Sequence, residues 1–395
     1  MRLKKKVLIV TAKWPYTTNS TDGGDSTTKE IIHSLKDDYF VELLCFRNDI
    51  DEQITIDGVQ EIHFYNEDFA LFKNYRLHNE EKFLVRLSQA EIAKKEIERI
   101  YQGYEFIIVQ HDMFILGMEK EKELLDRIVL YPMFTGSSYI RSGEVVPPIY
   151  IQREKNVLKL VKLIISPSNV EKEMLISEYG VDSDKILVVP RPVDYTYHVR
   201  CVSDPKIIKL LYIASIRTQK NHMDALQLVN IITRKGVNVE LHCVGAIQDD
   251  EIFSDCMNYL VENKLTDNVV FHGNKSHDQL EIIMNNCNFN ISVSQWETFG
   301  RGIYEGMVFG LPTIILKKLE CVMQADNLGI FPYVVSSLEE MANTIIDLFW
   351  DKKKYEDESK KGKDLSSLLS VTNSEKIIRK KYKEVFASGG LQNCK

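Results

Sequence analysis

Long hydrophobic runs are missing from this chain. No stretch of about 18 apolar residues occurs anywhere in its 395 residues, which excludes an expected transmembrane helix. After Met1-Arg2-Leu3-Lys4-Lys5-Lys6 the apolar run is only Val7-Leu8-Ile9-Val10, too short for the core of a secretory leader. Paired cysteines are missing too. The seven, Cys45, Cys201, Cys243, Cys256, Cys287, Cys321 and Cys394, are scattered with no Cys-x-x-Cys among them. Several lie in apolar runs, so they read as buried free thiols in a reducing compartment rather than disulfides or metal ligands. Nor is there an excess of positive charge: a net charge of -7 argues against a dedicated nucleic-acid binder. The expectation is a cytosolic protein. Its lysine-rich start is a solvated flank on the first strand or, alternatively, a weak peripheral attraction to anionic lipid on the inner face of a membrane. Finally, no internal repeat and no Gly-x-Gly-x-x-Gly fingerprint occur.

What is present is an ordinary globular composition, 44% hydrophobic and 27% charged, on a chain long enough for two domains of about 150–200 residues. Short apolar runs alternate with helical patterns throughout. In the first half, strands are expected at Val7–Thr11, Phe40–Phe46, Glu61–Tyr65, Phe106–Val109, Ile128–Tyr131, Leu163–Ile165 and Ile186–Val189. Phe83, Leu87, Ala90, Ala93, Ile97, Ile100 and Tyr104 recur at helical spacing, which predicts a core-facing helix from about Glu80 to Gln102. Pro190-Arg191-Pro192-Val193-Asp194, with the polar segment to about Lys206, marks a domain boundary. The second half starts the alternation again at Ile207–Ala214, so two doubly wound α/β domains are expected.

Three places carry chemistry. After the first strand comes Asp22-Gly23-Gly24-Asp25, read as a loop before a helix starting near Ser26. Gly23 and Gly24 either let backbone approach a ligand or merely shape a turn. His111 follows the strand Phe106–Val109, on the ligand edge of a parallel sheet; it either handles a proton or hydrogen bond there or is structural. The segment from Pro132 to Glu144 reads as a polar loop, a substrate rim or lid.

The third place is Gln295-Trp296-Glu297-Thr298-Phe299-Gly300-Arg301-Gly302-Ile303-Tyr304-Glu305, between the buried strand Phe289–Val293 and a helix running to Phe309. Two glutamates at this spacing occur by chance about once or twice in a chain this long. Their placement at a strand-to-helix junction is the stronger signal, because parallel sheets bind ligands at that end and helix amino termini attract anions. Arg217 and Lys220 lie in the loop after the first strand of the same sheet, so the four groups are expected to share a pocket. Two cations beside a helix terminus suit a diphosphate, and carboxylates suit hydroxyl-rich groups. A set of surface ion pairs is the plainer alternative.

Glu297-Thr298-Phe299-Gly300 with Glu305, and Arg217-x-x-Lys220-Asn221, resemble the signatures of retaining GT-B glycosyltransferases of the large family 4 group. The resemblance covers nearly the whole chain. Gly23-Gly24 is similar to that group's amino-terminal glycine loop, and His111 to a histidine after its fourth-region strand. Val188 to Asp194 resembles a Pro-Asn-Gly-Val-Asp linker with Asn-Gly replaced by Arg-Pro. Thr298 stands where Gly is usual, and Gly306 where Ala is usual. Met133–Pro147 is similar to bacterial surface-polysaccharide members.

The resemblance implies a GT-B fold: residues 1–200 an acceptor-side Rossmann-like domain, 206–370 the nucleotide-sugar domain, and 371–395 a helix crossing back. Arg217 and Lys220 would clamp the donor diphosphate, Glu305 would bind ribose, and Glu297 with the N–H groups of Phe299 and Gly300 would hold the donor sugar. No metal or cofactor would be needed. No carboxylate is obviously placed as a nucleophile, unlike the paired acids of glycoside hydrolases. The donor would be a nucleoside-diphosphate sugar and the acceptor a carbohydrate, glycolipid or glycoprotein hydroxyl, with no nucleic-acid partner. Two other readings are a GT-B-like nucleotide-sugar epimerase and a non-catalytic sugar-binding partner subunit; retention of the clamp residues argues against each.

Overall fold

The computed structural model describes residues 4–11, 23–45, 56–65, 79–200, 206–319 and 329–386. In the first half, elements run β1 (Lys6–Val10), α1 (Gly23–Leu35), β2 (Phe40–Cys45), β3 (Val59–Phe64), α2 (Asn79–Ile100), β4 (Phe106–Gln110), α3 (Lys122–Leu125), β5 (Ile128–Tyr131), α4 (Gly136–Arg141), α5 (Pro148–Leu158), β6 (Leu163–Ser166), α6 (Asn169–Tyr179) and β7 (Ile186–Val188). Val7, Leu8, Ile9 and Val10 are all fully buried, so helices cover both faces of their strand. The seven strands are parallel, in the order β3-β2-β1-β4-β5-β6-β7.

The second half repeats the plan with β8 (Ile208–Ile213), α7 (His222–Arg234), β9 (Val239–Val244), α8 (Asp250–Glu262), β10 (Val269–Phe271), α9 (His277–Asn286), β11 (Phe289–Ser292), α10 (Arg301–Val308), β12 (Thr313–Leu316) and β13 (Tyr333–Val335). Three helices follow: α11 (Leu338–Trp350), α12 (Lys352–Leu368) and α13 (Val371–Phe386). Its six parallel strands are ordered β10-β9-β8-β11-β12-β13. In each sheet the winding reverses beside the first strand, between β1 and β4 and between β8 and β11. These are the topological switch points, where the flanking loops splay apart and leave a crevice. The last helix returns to the first domain: Tyr382 meets the Tyr131 hydroxyl at 2.9 Å, Phe386 stacks on Phe106, and Arg379 pairs with Asp37 at 2.9 Å.

Two sequence expectations are corrected. Gly23 and Gly24 are the first residues of α1, not a loop ahead of it. The segment from Pro132 to Glu144 is not a loop throughout, because Gly136–Arg141 is helical. At six residues it is too short for periodicity to show. Its first N–H groups are satisfied from far along the chain: Gly136 donates to Glu154 Oε1 at 2.8 Å and Ser137 to the Tyr179 hydroxyl at 2.9 Å. Cys45, Cys243, Cys256 and Cys287 are buried free thiols, as expected, and burial pushes the Cys45 and Cys287 thiols up to about 12. Cys201, Cys321 and Cys394 lie outside the described residues. Among those residues no helix is long and apolar enough to cross a membrane. Lys5 and Lys6 pair with Glu105 and Glu42 of their own domain, at 2.5 and 2.6 Å.

Glycines set how close α10 lies to the sheet. A Cβ on Gly302 would stand 2.5 Å from the backbone oxygen of Ile213 on β8, and one on Gly306 would overlap the Asn290 side chain on β11. On the helix's other side, a Cβ on Gly362 of α12 would overlap the Met307 carbonyl. Gly302→Ala and Gly362→Ala should therefore each destabilise the protein by about 1–3 kcal/mol in chemical denaturation. Gly103, with nothing within 4 Å of its added Cβ, should tolerate alanine. Equal midpoints for all three variants would show that α10 is not pinned by close approach.

Candidate active site

At the second switch point, β8 runs into a loop ending in a short turn, Thr218–Lys220, and β11 runs into the residues before α10. Neighbouring strands end together there, so the two loops meet. Gln295 N–H donates to the Gln219 carbonyl at 2.8 Å, and the Gln219 amide donates to the Trp296 carbonyl at 2.6 Å. The Tyr212 hydroxyl donates to the Lys220 carbonyl and lies 3.0 Å from the Ser294 hydroxyl. Held this way, Lys220 Nζ sits 2.5 Å from Glu297 Oε1, with side-chain exposures of 15% and 11%. Burial, the largest influence, pulls the Lys220 amine below its usual range; Glu297 opposes that and the nearby Arg217 adds to it. His222 beside them is fully buried, and its pKa is lowered to about 4, first by burial and then by Lys220. The pair thus holds its charges in a place that resists additional positive charge.

α10 begins at Arg301, capped by Gly300 in the left-handed region at φ 80. The Ile303 N–H donates to the Gly300 carbonyl at 2.9 Å, while the Arg301 and Gly302 N–H groups ahead of it have no partner within the helix. Phe299 turns inward and stacks on Tyr304, so its backbone, not its ring, is what the crevice meets. Glu305 does not join the lysine: its Oε1 accepts from Arg301 Nε at 3.0 Å. Arg301 also reaches Glu30 on α1 of the first domain, at 3.2 Å. The structure therefore brings Lys220, Glu297 and Arg217 together and sets Glu305 with Arg301. Among the described residues, two buried donors in this region have no hydrogen-bond partner, Arg217 Nε and Trp296 Nε1. Such groups are rare in folded proteins unless a ligand satisfies them.

At the first switch point Gly23 and Gly24 open α1 opposite the end of β4, where His111 follows. His111 is held at φ 98, a strained value for a side chain with a Cβ. Its Nδ1 lies 2.8 Å from the carboxylate of the fully buried Asp112 and 3.2 Å from the Met113 N–H. The two domains meet across the crevice. The Ser168 hydroxyl donates to the Thr298 carbonyl at 2.5 Å, and Arg141 lies over the Trp296 ring at 5.1 Å.

Sequence reasoning assigned no role to Arg301, Trp296, Glu30 or Asp112. Arg301 was findable, since it stands four residues before Glu305 on a helix. Its partner Glu30 was not, being 271 residues away. Among the described residues, one group of three potential metal ligands occurs, Glu42, Glu61 and His63 on β2 and β3. It lies outside this crevice, and its Glu42 is taken by Lys6, Tyr104 and His63.

Residues 199–365 match the family model for glycosyl transferases group 1. The match spans most of the second domain. Over 177 residues the chain is 25% identical to the GDP-Man:Man(3)GlcNAc(2)-PP-Dol alpha-1,2-mannosyltransferase of Dictyostelium discoideum, a match covering 42% of this chain and 34% of that protein. It is 21% identical over 290 residues to an uncharacterized 41.2 kDa protein in the cps region of Klebsiella pneumoniae, covering 69% of this chain and 75% of that one. Sucrose-phosphate synthase from Thermosynechococcus elongatus superimposes with a TM-score of 0.80 at 15% identity, covering 98% of this chain and 100% of that one. The likeness is one of fold, the two doubly wound domains of the GT-B architecture.

In the second domain the lysine and glutamate should be energetically coupled. Lys220→Met and Glu297→Gln should each cost about 1–3 kcal/mol in urea denaturation, and the double variant clearly less than their sum. Additive losses would mean that the two groups do not form a pair in solution.

Proposed function

We propose that the protein is a retaining, metal-independent glycosyltransferase that moves a hexosyl group from a nucleoside-diphosphate sugar to the hydroxyl of a sugar, glycan or glycolipid. The observation that carries this reading is the buried Lys220–Glu297 pair beside Arg217, at a switch point and against the amino terminus of α10. Lys220, Arg217 and the α10 terminus would face the diphosphate, with its developing charge taken up by preorganised donors rather than by reorganising water. Glu297 would then accept from sugar hydroxyls, helped by the N–H groups of Phe299 and Gly300. Glu305 has one oxygen committed to Arg301, leaving the other for a ribose diol. As the bond from sugar C1 to the phosphate oxygen breaks, the acceptor oxygen bonds C1 from the same face. Its proton passes to the departing phosphate. His111, across the crevice, would hydrogen-bond the acceptor or donor sugar. The cps-region relative and the Met133–Pro147 resemblance support a role in bacterial surface-polysaccharide assembly.

A thermal-shift panel of UDP-, GDP- and ADP-sugars tests the donor class. At least one should raise the melting temperature, and that donor should be hydrolysed or transferred. Glu297→Ala and Lys220→Ala should abolish turnover, whereas His111→Ala should cut transfer at least tenfold and leave nucleotide binding within about twofold. A folded wild type that neither binds nor turns over any of these donors overturns the reading.

A further inference from the structure

His111 is backed by a group of buried acids that the donor chemistry does not use. Asp112, Glu154 and Glu171 are each without any exposed surface. Three carboxylates cannot all stay ionised in one apolar interior, and their surroundings divide the charge unequally. Burial pushes Glu154 well above the usual carboxylate range, and the neighbouring Asp112 charge pushes it further. Burial likewise raises Glu171 to about 7. Asp112 goes the other way: burial works against its charge, but His111, the Glu154 carboxyl and Arg86 together hold it below its usual value. Glu154 accordingly keeps a proton, while its oxygens accept from the Gly136 N–H at 2.8 Å and the Tyr179 hydroxyl at 2.9 Å. Asp112 keeps the negative charge.

His111 Nδ1 therefore has two rival neighbours. The Met113 N–H donates to it at 3.2 Å; the Asp112 carboxylate lies 2.8 Å away, and neither of its oxygens has a hydrogen-bond partner among the described residues. Only one can be satisfied by a neutral ring. The carboxylate has the larger claim, because an ionised buried oxygen left without a donor costs more than one weak backbone contact. With the proton on Nδ1, the ring presents Nε2 as an acceptor, and the side chain keeps 15% of its surface exposed.

We propose that Asp112 is a positioning residue that fixes the ring and tautomer of His111, so that Nε2 accepts a hydrogen bond from a substrate hydroxyl at the mouth of the first domain. The substrate half of this inference rests on the transferase reading above; the tautomer half does not. Every packed element contributes to the balance around the ring. α2 brings Lys82 and Arg86, both of which disfavour a charged imidazole. Lys82 is itself paired with Glu144 at 2.8 Å, and Arg86 donates to the Tyr139 hydroxyl on α4 at 2.7 Å. α5 brings Tyr150 and Glu154, and α6 brings Glu171 and Tyr179. Burial first, with Arg86 and Lys82, outweighs the Asp112 charge and leaves the imidazole below its usual pKa, hence neutral at pH 7.

Nitrogen-15 NMR on the full chain reads the tautomer directly, with the His111 signal assigned by its loss in His111→Ala. The wild type should carry the proton on Nδ1, and Asp112→Asn should shift it to Nε2. Glu154→Gln should leave it on Nδ1, since a neutral amide beside Asp112 leaves the Asp112 charge in place. In kinetics, Asp112→Asn should lower kcat at least tenfold with donor affinity unchanged. It should also move the acid limb of kcat/KM to lower pH, by about one unit, because the charge that had raised the imidazole is gone. An Nε2–H tautomer in the wild type overturns the inference, and needs no variant to fold. So does Asp112→Asn with tautomer and acid limb both unchanged. If no donor is turned over but the tautomer switches as stated, the transferase reading falls while the Asp112–His111 arrangement stands.

Discussion

Helix α10 can lie against strand β8 only because residue 302 has no Cβ; the Ile213 carbonyl occupies the space that one would need. The Asn290 amide, from β11, sits where Gly306 has no Cβ and donates to the Gly302 and Ile303 carbonyls at 3.1 and 3.3 Å. This close approach fixes the amino terminus of α10 at the end of β11, directly at the switch point. The Arg301 and Gly302 N–H groups, which have no partner within the helix, stand at that end. Without that approach, Lys220 and Glu297 would still be on adjacent loops, but the helix terminus would not complete the proposed anion site.

Contacts across the crevice tie the two halves together at the site. Arg301 holds Glu305 on its own helix and Glu30 on α1 of the other domain, so the group assigned to ribose is linked to the domain interface. Ser168 meets the Thr298 carbonyl one residue from Glu297, and Arg141 covers Trp296 one residue on the other side. Donor groups in the second domain and His111 in the first are thereby held to a common geometry. Each side has the same internal logic: a charge kept in a buried place by one partner and denied to its neighbours.

The sequence made the architecture readable because buried parallel strands are continuous apolar runs, as in Val7–Val10 and Phe289–Val293. It made the site readable because strand, loop and helix signals placed Glu297, Arg217 and Lys220 on converging loops. What it could not show depended on partners distant in the chain. α4 is stabilised by Glu154 and Tyr179, which no local pattern at Gly136–Arg141 reveals. Glu305 was expected beside Lys220 because their loops converge; its ion pair with Arg301 on the same helix was not foreseen. Gly23 and Gly24 read as a loop because adjacent glycines usually break helices, yet here they start one.

Under the proposed function, the Lys220–Glu297 pair binds the diphosphate and sugar of the donor. The most direct test is a structure of the chain with a nucleoside-diphosphate sugar bound. The account predicts the phosphates against Lys220, Arg217 and the first turn of α10, with Glu297 released from the lysine and turned to the sugar hydroxyls. A nucleotide seated elsewhere, with the Lys220–Glu297 contact intact, would contradict it.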